Sequence, residues 1–168
     1  MELEQRVAEL ERRLTALERQ DSESGSPRLG DGDFWALEGL KNQLAELRAA
    51  DGGVLFTGAV RLPTGEQYEW QHGALTGGLL EDDWPAAAEP LAALGHPVRL
   101  RLLREILGGR RTAAELAELD GVGTTGQIYH HLRQLTGAGW LHTTGRGRHE
   151  VPAGRVVPLL VLLSAARP

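Results

Sequence analysis

The sequence contains no cysteine, which excludes disulfide bonds and metal sites built on thiolates. Serine is scarce as well, so the sequence shows no pairing of a nucleophile with a base. Its glycine pairs lack the lysine of a phosphate-binding loop, and no set of titratable groups converges. We therefore expect neither an enzyme nor a bound cofactor.

Long apolar runs are also missing from the sequence. The longest, from Val156 to Leu163, contains Pro158 and is far shorter than the roughly 20 residues of a membrane-spanning helix. The N-terminus is acidic with a helical pattern, and it lacks the basic stretch and apolar run of a secretory signal. The sequence predicts a cytoplasmic protein that has no membrane partner.

Positive charge is scarce in the chain as a whole but not in its C-terminal half. The net charge is −5 at pH 7. Residues 1–90 hold 8 Lys and Arg against 18 Asp and Glu, whereas residues 91–168 hold 10 against 5. The balance is therefore −10 in the first part and +5 in the second. This division makes the C-terminal half the candidate for binding a polyanion such as DNA.

The C-terminal half contains a helix with one apolar and one polar face. Ile128, Leu132 and Leu135 recur at helical spacing, which predicts a helix over residues 124–136 that packs on a core. Free backbone N–H groups at its N-terminus favour phosphate, whereas amide and ring groups further along suit base edges. The candidate contacts, each of which has an ordinary solvated position as its alternative, are Thr124, Thr125, Gln127, Tyr129, His130 and Arg133.

A short hairpin with a cationic tip follows this helix. Its strands lie near Trp140–Thr143 and Arg148–Val151, around a Gly145-Arg146-Gly147 turn. A polar helix beside a basic hairpin is how a winged helix holds a DNA groove and its flanking phosphates. We expect the wing at residues 141–151 to place Arg146 and Arg148 on phosphates or in the minor groove.

Four segments of the C-terminal half occur in a recognisable order: LAALGHPVRLRLLREIL, TAAELAEL, IYHHLRQLTGAGWL and GRGRHEV. In this order they resemble the winged helix-turn-helix repressors of the ArsR type, over about residues 84–166. The resemblance implies that the helices at Thr112 and Thr124 form the helix-turn-helix and that the first and last helices of the domain join two chains. On the last helix, we expect three dimer contacts: Val157, Leu160 and Leu163.

The chain departs from the metal-sensing members of that family. They carry a cysteine-containing site on the first helix of the helix-turn-helix, where this chain has only Glu115 and Glu118, or Asp and His ligands on the last helix, which in this chain reads VVPLLVLLS. The adjacent His130 and His131 would point about 100° apart on a helix and cannot grip one ion together. The sequence predicts no metal site. Tyr129 stands where a small serine is common, so base readout should differ in detail.

The first 20 residues carry apolar side chains at alternating steps of four and three. This is the seam pattern of a coiled coil, and arginines at g would face glutamates at e of a parallel partner. We expect residues 1–20 to pair two chains; the alternative is a helix that packs on its own chain. The seam residues are Leu3, Val7, Leu10, Leu14 and Leu17.

Residues 21–32 are a polar linker, DSESGSPRLGDG. Residues 33–83 follow as an accessory region with a helix and then two strands, Val54–Leu62 and Glu66–Gln71, joined by a turn. A lone hairpin is marginal in water, so this one must pack on something. Its aromatic side chains either line a pocket for a small effector or fill a core. They are Trp35, Phe56, Tyr68, Trp70 and Trp84.

Together these patterns predict a fold that is mainly α with a small β content. A winged helix-turn-helix domain at residues 84–168 follows the coiled-coil helix and the accessory helix and hairpin. We expect a homodimeric, sequence-specific transcriptional regulator, a repressor, that binds an inverted repeat in double-stranded DNA. Two alternatives stay open. The winged helix serves as a protein-interaction module, with the acidic half binding a partner such as a sigma factor, or residues 33–80 sense a small ligand.

Overall fold

The structure, a computed structural model, describes residues 5–13 and 34–167. Its contacts divide the chain into two units between Asn42 and Gln43. Residues 5–13 form a helix, α1, and a second helix, α2, spans Trp35–Glu46 and continues across the division. The predicted linker and three seam residues of the predicted coiled coil lie outside the described residues: Leu3, Leu14 and Leu17.

The second unit contains an antiparallel hairpin of β1 (Gly53–Arg61) and β2 (Gln67–Leu75). The register pairs Gly53 with Leu75 at the open end and Arg61 with Gln67 at the turn. Within the turn, Gly65 adopts a φ of 89°, a left-handed conformation that glycine reaches without strain. The predicted hairpin is therefore present, and its second strand is longer than the sequence indicated. A short helix, α3, follows at Thr76–Glu81.

The remaining elements are helical except for one small hairpin. His96 caps the helix Pro97–Leu107, because its Nδ1 accepts a hydrogen bond from the Val98 N–H at 3.2 Å. Thr112 and Glu115 form a capping box at the start of the helix Ala113–Ala117, in which each side chain accepts a hydrogen bond from the other residue's backbone N–H. After one 3₁₀ turn at Trp84–Ala87, the elements are α4 (Ala88–Leu94), α5 (Pro97–Leu107), α6 (Ala113–Ala117), α7 (Thr125–Gly137), β3 (His142–Thr144), β4 (Arg148–Glu150) and α8 (Ala153–Ala165).

Two antiparallel hairpins and a majority of helix confirm the predicted fold class, a mainly α chain with a winged helix-turn-helix. The core gathers the apolar faces of α5, α6, α7 and α8 with Trp140, whose Nε1 donates to the Pro90 carbonyl at 2.8 Å. The β1–β2 hairpin belongs to the same core. Leu62 is 7% exposed, and Val60 and Tyr68 pack against the cluster. The hairpin therefore lies in one unit with the helix-turn-helix.

The last helix packs on this hairpin. A Cβ placed on Gly58 of β1 would lie 2.6 Å from Cγ1 of Val157, and one placed on Gly154 would lie 3.6 Å from the Trp70 ring. Val157 is 1% exposed, which leaves its side chain little surface for the predicted contact with a second chain. Its apolar surroundings come from β1, which the pattern of α8 alone did not reveal. Leu160 and Leu163 are partly buried against the core, and their role in a dimer stays a prediction.

Candidate nucleic-acid interface

The helix expected at residues 124–136 is present as α7. Its N-terminus is a capping box: Thr124 Oγ1 accepts from the Gln127 N–H at 3.4 Å, and Gln127 Oε1 accepts from the Thr124 N–H at 2.8 Å. Gly123 precedes it with a φ of 94°, and a Cβ there would collide with the Gln127 side chain. The sequence Gly-Thr at this position thus determines where the helix begins.

Packing of α7 decides which side chains face solvent. Three side chains on one face of the helix, Ile128, Leu132 and Leu135, are at most 1% exposed. This face packs on the core, and the opposite face is exposed to solvent. Tyr129 is 48% exposed. All six residues predicted to contact DNA from this helix are exposed and lie along its outer side: Thr124, Thr125, Gln127, Tyr129, His130 and Arg133.

Gln127 nevertheless differs from the others in that group. Its amide oxygen is engaged with the Thr124 backbone, so the side chain folds back along the helix N-terminus. Bidentate pairing with adenine requires the amide oxygen and nitrogen together. The structure therefore gives Gln127 a capping role, and contact with a base would require that hydrogen bond to open. Sequence spacing contained this signal, since Thr and Gln three positions apart match the capping box.

The predicted wing is formed by β3 and β4, with Thr144 paired to Arg148. Its tip, Gly145–Gly147, is one 3₁₀ turn in which Arg146 has a φ of 67° and a ψ of 27°. This left-handed conformation is unusual for a residue with a side chain, and such strain recurs at functional sites. Arg146 is exposed and Arg148 half-buried, and neither forms a salt bridge within the described part of the chain.

A groove whose lining includes Glu89 as well as basic side chains lies beside the exposed face of α7. Its volume is about 580 Å³. Arg99 of α5 borders it and is fixed by hydrogen bonds to the Gln134 side chain and to the Ala92 carbonyl, the latter at 2.9 Å. Because His130 and Arg133 line the same groove, Arg99 adds a third basic side chain to this side of the helix. Sequence analysis missed Arg99, since its position next to α7 depends on the packing of α5.

His131 takes no part in the exposed face. It is half-buried, and its ring centroid lies 4.7 Å from that of His96. Burial lowers the pKa of His131, and the nearby charges of His96, Arg99 and His130 lower it further. Burial alone lowers the pKa of His149 on β4. Both imidazoles are therefore favoured in the neutral form, as expected of packed histidines.

The aromatic residues proposed to line an effector pocket occupy different environments. Tyr68 packs against the core, Trp70 lies by Gly154, and Phe56 has its ring centroid 5.6 Å from that of His72. Trp84 is exposed, and its Nε1 donates to the Leu79 carbonyl at 2.6 Å. Trp35 is exposed on α2. Core packing, the alternative role, accounts for Tyr68, whereas Trp70 remains 43% exposed.

Two seam residues of the predicted coiled coil fall in the described part of α1. Val7 is 47% and Leu10 65% exposed, so pairing of this helix with a second chain stays a prediction. Across residues 5–13 and 34–167, no three His, Cys, Asp or Glu side chains are grouped so as to hold a metal ion. In the same ranges, no helix has the length and apolar content needed to cross a membrane.

Residues 94–143 match the family model of a helix-turn-helix domain. The matched segment contains α5, α6 and α7 and ends within β3, so it covers the candidate interface except for the wing tip. The match supports a helix-turn-helix regulator in general and does not single out the ArsR type. Searches of curated proteins and of solved structures found no match to the chain.

Proposed function

We propose that this chain is a sequence-specific, DNA-binding transcriptional regulator of the ArsR-like winged helix type. The observation that carries the proposal is the outer face of α7. In a segment matched as helix-turn-helix, three buried side chains fix this helix to the core and turn an exposed polar face outward. The Arg146 tip stands exposed on the hairpin that follows. A projecting helix beside a cationic loop suits the major groove and its flanking phosphates.

In this proposal the two parts of the interface do different work. Thr124 and Thr125 lie at the N-terminus of α7 and approach the DNA first, with Tyr129 and His130 on base edges or thymine methyl groups. Arg133, Arg146 and Arg148 neutralise phosphates, an interaction that is independent of sequence and releases counterions.

We further propose that two chains act together in the cytoplasm on an inverted repeat. Two recognition helices would enter major grooves about 34–36 Å apart, one turn of the duplex. The exposed Val7 and Leu10 on α1 support pairing through the N-terminal helix. Leu160 and Leu163 are the remaining candidates on α8. Bound in this way, the dimer would act as a repressor by covering its operator.

The proposal is tested by selecting bound fragments from random DNA and then titrating variants against the selected operator and a random duplex. Arg146→Ala with Arg148→Ala should weaken binding to both duplexes and lower the slope of log affinity against log salt by about two, since each phosphate contact contributes about one. Arg167→Ala, which removes an exposed cation near the C-terminus, is the matched control and should bind like the parent chain.

Base readout is tested separately on the same two duplexes. Thr125→Ala or His130→Ala should weaken binding to the operator by about 1–3 kcal/mol per lost base contact and leave binding to the random duplex nearly unchanged. Equal losses on both duplexes would mean that α7 contacts only the backbone. Light scattering of the complex then reports whether one or two chains bind each operator.

A further inference from the structure

Arg111 connects three parts of the second unit that are distant in sequence. Its side chain is 13% exposed and lies in the loop before α6. One guanidinium nitrogen donates to Glu150 Oε1 on β4 at 3.0 Å, and the other donates to Glu66 in the turn of the β1–β2 hairpin. These partners are 39 and 45 positions away along the chain. One side chain therefore joins the wing to the hairpin.

The backbone of Arg111 adds a second bond to the wing and one to α6. Its carbonyl accepts from the His149 N–H at 2.7 Å, and its N–H donates to Glu115 Oε2 of α6 at 2.9 Å. The next residue, Thr112, forms a backbone bridge with Arg148. The wing is thus attached to the loop that begins the helix-turn-helix.

Contacts within and around the hairpin turn keep Glu66 in place to pair with Arg111. Thr64 Oγ1 donates to Glu66 Oε2 at 2.7 Å, and a Cβ on Gly109 would lie 3.1 Å from the Thr64 methyl group. Leu62 beside the turn is buried in the core. The Arg111 guanidinium and the Thr64 hydroxyl both lower the pKa of Glu66, so the carboxylate stays ionised and able to pair near neutral pH.

We propose that the β1–β2 hairpin positions the wing on DNA through Arg111. Arg111 is then a positioning residue that does not touch DNA, and the turn at residues 62–66 belongs to the DNA-binding apparatus. The inference rests on the proposed function. Glu66 and Glu150 both lie outside the matched segment at residues 94–143, so the connection depends on parts of the chain beyond the helix-turn-helix itself.

The direction in which Glu66→Gln changes DNA affinity distinguishes a positioning role from a purely electrostatic effect. Glu66→Gln removes a negative charge, which by charge alone leaves DNA affinity equal or raises it. If Glu66 positions the wing, the same change should weaken operator binding, by about three- to thirtyfold for coupling of this kind. Glu69→Gln is the matched control, because it removes the same charge from an exposed site on β2 of the same hairpin. It should bind DNA as tightly as the parent chain or more tightly.

Hydrogen exchange of the free protein supplies a second measurement that needs no DNA. Glu66→Gln should speed exchange of the wing amides at residues 142–150 while leaving exchange in α5 and the thermal unfolding midpoint close to those of Glu69→Gln. Thr64→Ala, which removes the hydroxyl that orients Glu66, should act in the same direction with a smaller effect.

The two measurements have distinct failures. Unchanged wing exchange together with unchanged operator binding in Glu66→Gln would overturn the positioning role while leaving the proposed function intact. If the parent chain binds no DNA, the proposed function fails, and faster wing exchange in Glu66→Gln but not in Glu69→Gln would still establish the connection between hairpin and wing.

Discussion

Two histidines of the second unit are favoured in the neutral form by their surroundings. His131 packs beside His96 and near Arg99, and His149 is partly buried on β4. The structure lowers the pKa of both below the ordinary value of 6.5. In the unfolded chain both imidazoles take up protons at a higher pH than in the folded chain. The folded state is therefore destabilised at every pH at which the unfolded chain binds more protons.

This difference predicts how stability depends on pH. The contribution of the two neutral histidines to the stability of the folded state is fully present above pH 6.5. It is lost as the pH falls through their lower pKa values in the folded state. We expect the free energy of unfolding, measured by urea titration, to decrease between pH 7 and pH 5. His131→Gln should make this dependence less steep. His142→Gln, at an exposed position of β3, serves as the control and should keep the slope of the parent chain.

Arg146 combines backbone strain with a proposed contact. A left-handed residue with a side chain costs about 1–2 kcal/mol, and glycine removes that cost. Arg146→Gly should therefore leave the free energy of unfolding equal or raise it by up to about 1 kcal/mol, while weakening binding to operator and random duplex alike. A variant that bound DNA as well as the parent chain would show that the cation at the tip is not used. Urea titration and DNA titration of one preparation measure both quantities.

Among the elements, the β1–β2 hairpin packs closely against α8 at Gly58. The absence of a Cβ at Gly58 allows Val157 to approach β1. Glycine is otherwise unfavourable in a strand, because it packs no side chain. Its presence in the middle of β1 is explained by the helix that crosses it.

We expect Gly58→Ala to destabilise the protein by about 1–3 kcal/mol, since its Cβ would lie too close to Val157 and overpacking of this kind shifts the backbone. Gly73→Ala on β2 is the matched control. A Cβ there would meet the Leu55 side chain at 3.5 Å, an ordinary contact, so the free energy of unfolding should stay equal or rise. If both variants lose the same stability, the close approach of α8 is not responsible.

At the scale of the whole molecule, the unit that folds is larger than the segment matched as helix-turn-helix. Leu62, Val60 and Tyr68 fill the core from outside residues 94–143. Full burial of a side chain such as Leu62 contributes about 1.5–3 kcal/mol, and the total stability of a domain is about 5–15 kcal/mol. Loss of Leu62 together with the partly buried Val60 and Tyr68 would therefore remove a large share of that stability.

Shortened chains test this boundary. Residues 43–168 should retain a cooperative thermal transition, whereas residues 84–168 should unfold without one because they lack the hairpin. The longer of the two should still bind a single half-site. If α1 pairs two chains, the chain of residues 43–168, which lacks α1, should bind the inverted repeat more weakly than the full chain does. A cooperative transition in residues 84–168 would contradict the stabilising role of Leu62 and its neighbours.

The fold was largely predictable where local rules apply. Apolar residues at helical spacing and the glycines that end the helix predicted α7, and the Gly-Arg-Gly tip predicted the wing. The capping role of Gln127 was readable from spacing but competed with a role in base contact, and the geometry of the cap favours the former. The contact of Val157 with β1 was not predictable, because a helix that is apolar on most sides does not show by itself which neighbour covers it.

By itself the sequence determined which face of α7 is polar, where the helix begins and that the hairpin after it is cationic. These features depend on the conformational preferences of residues a few positions apart. Only the tertiary structure decided that the first hairpin fills the core, that Arg99 stands beside His130 and Arg133, and that Arg111 joins Glu66 to Glu150. Ion pairs across about 40 positions leave no local pattern, because they arise only once packing of the core has brought distant segments together.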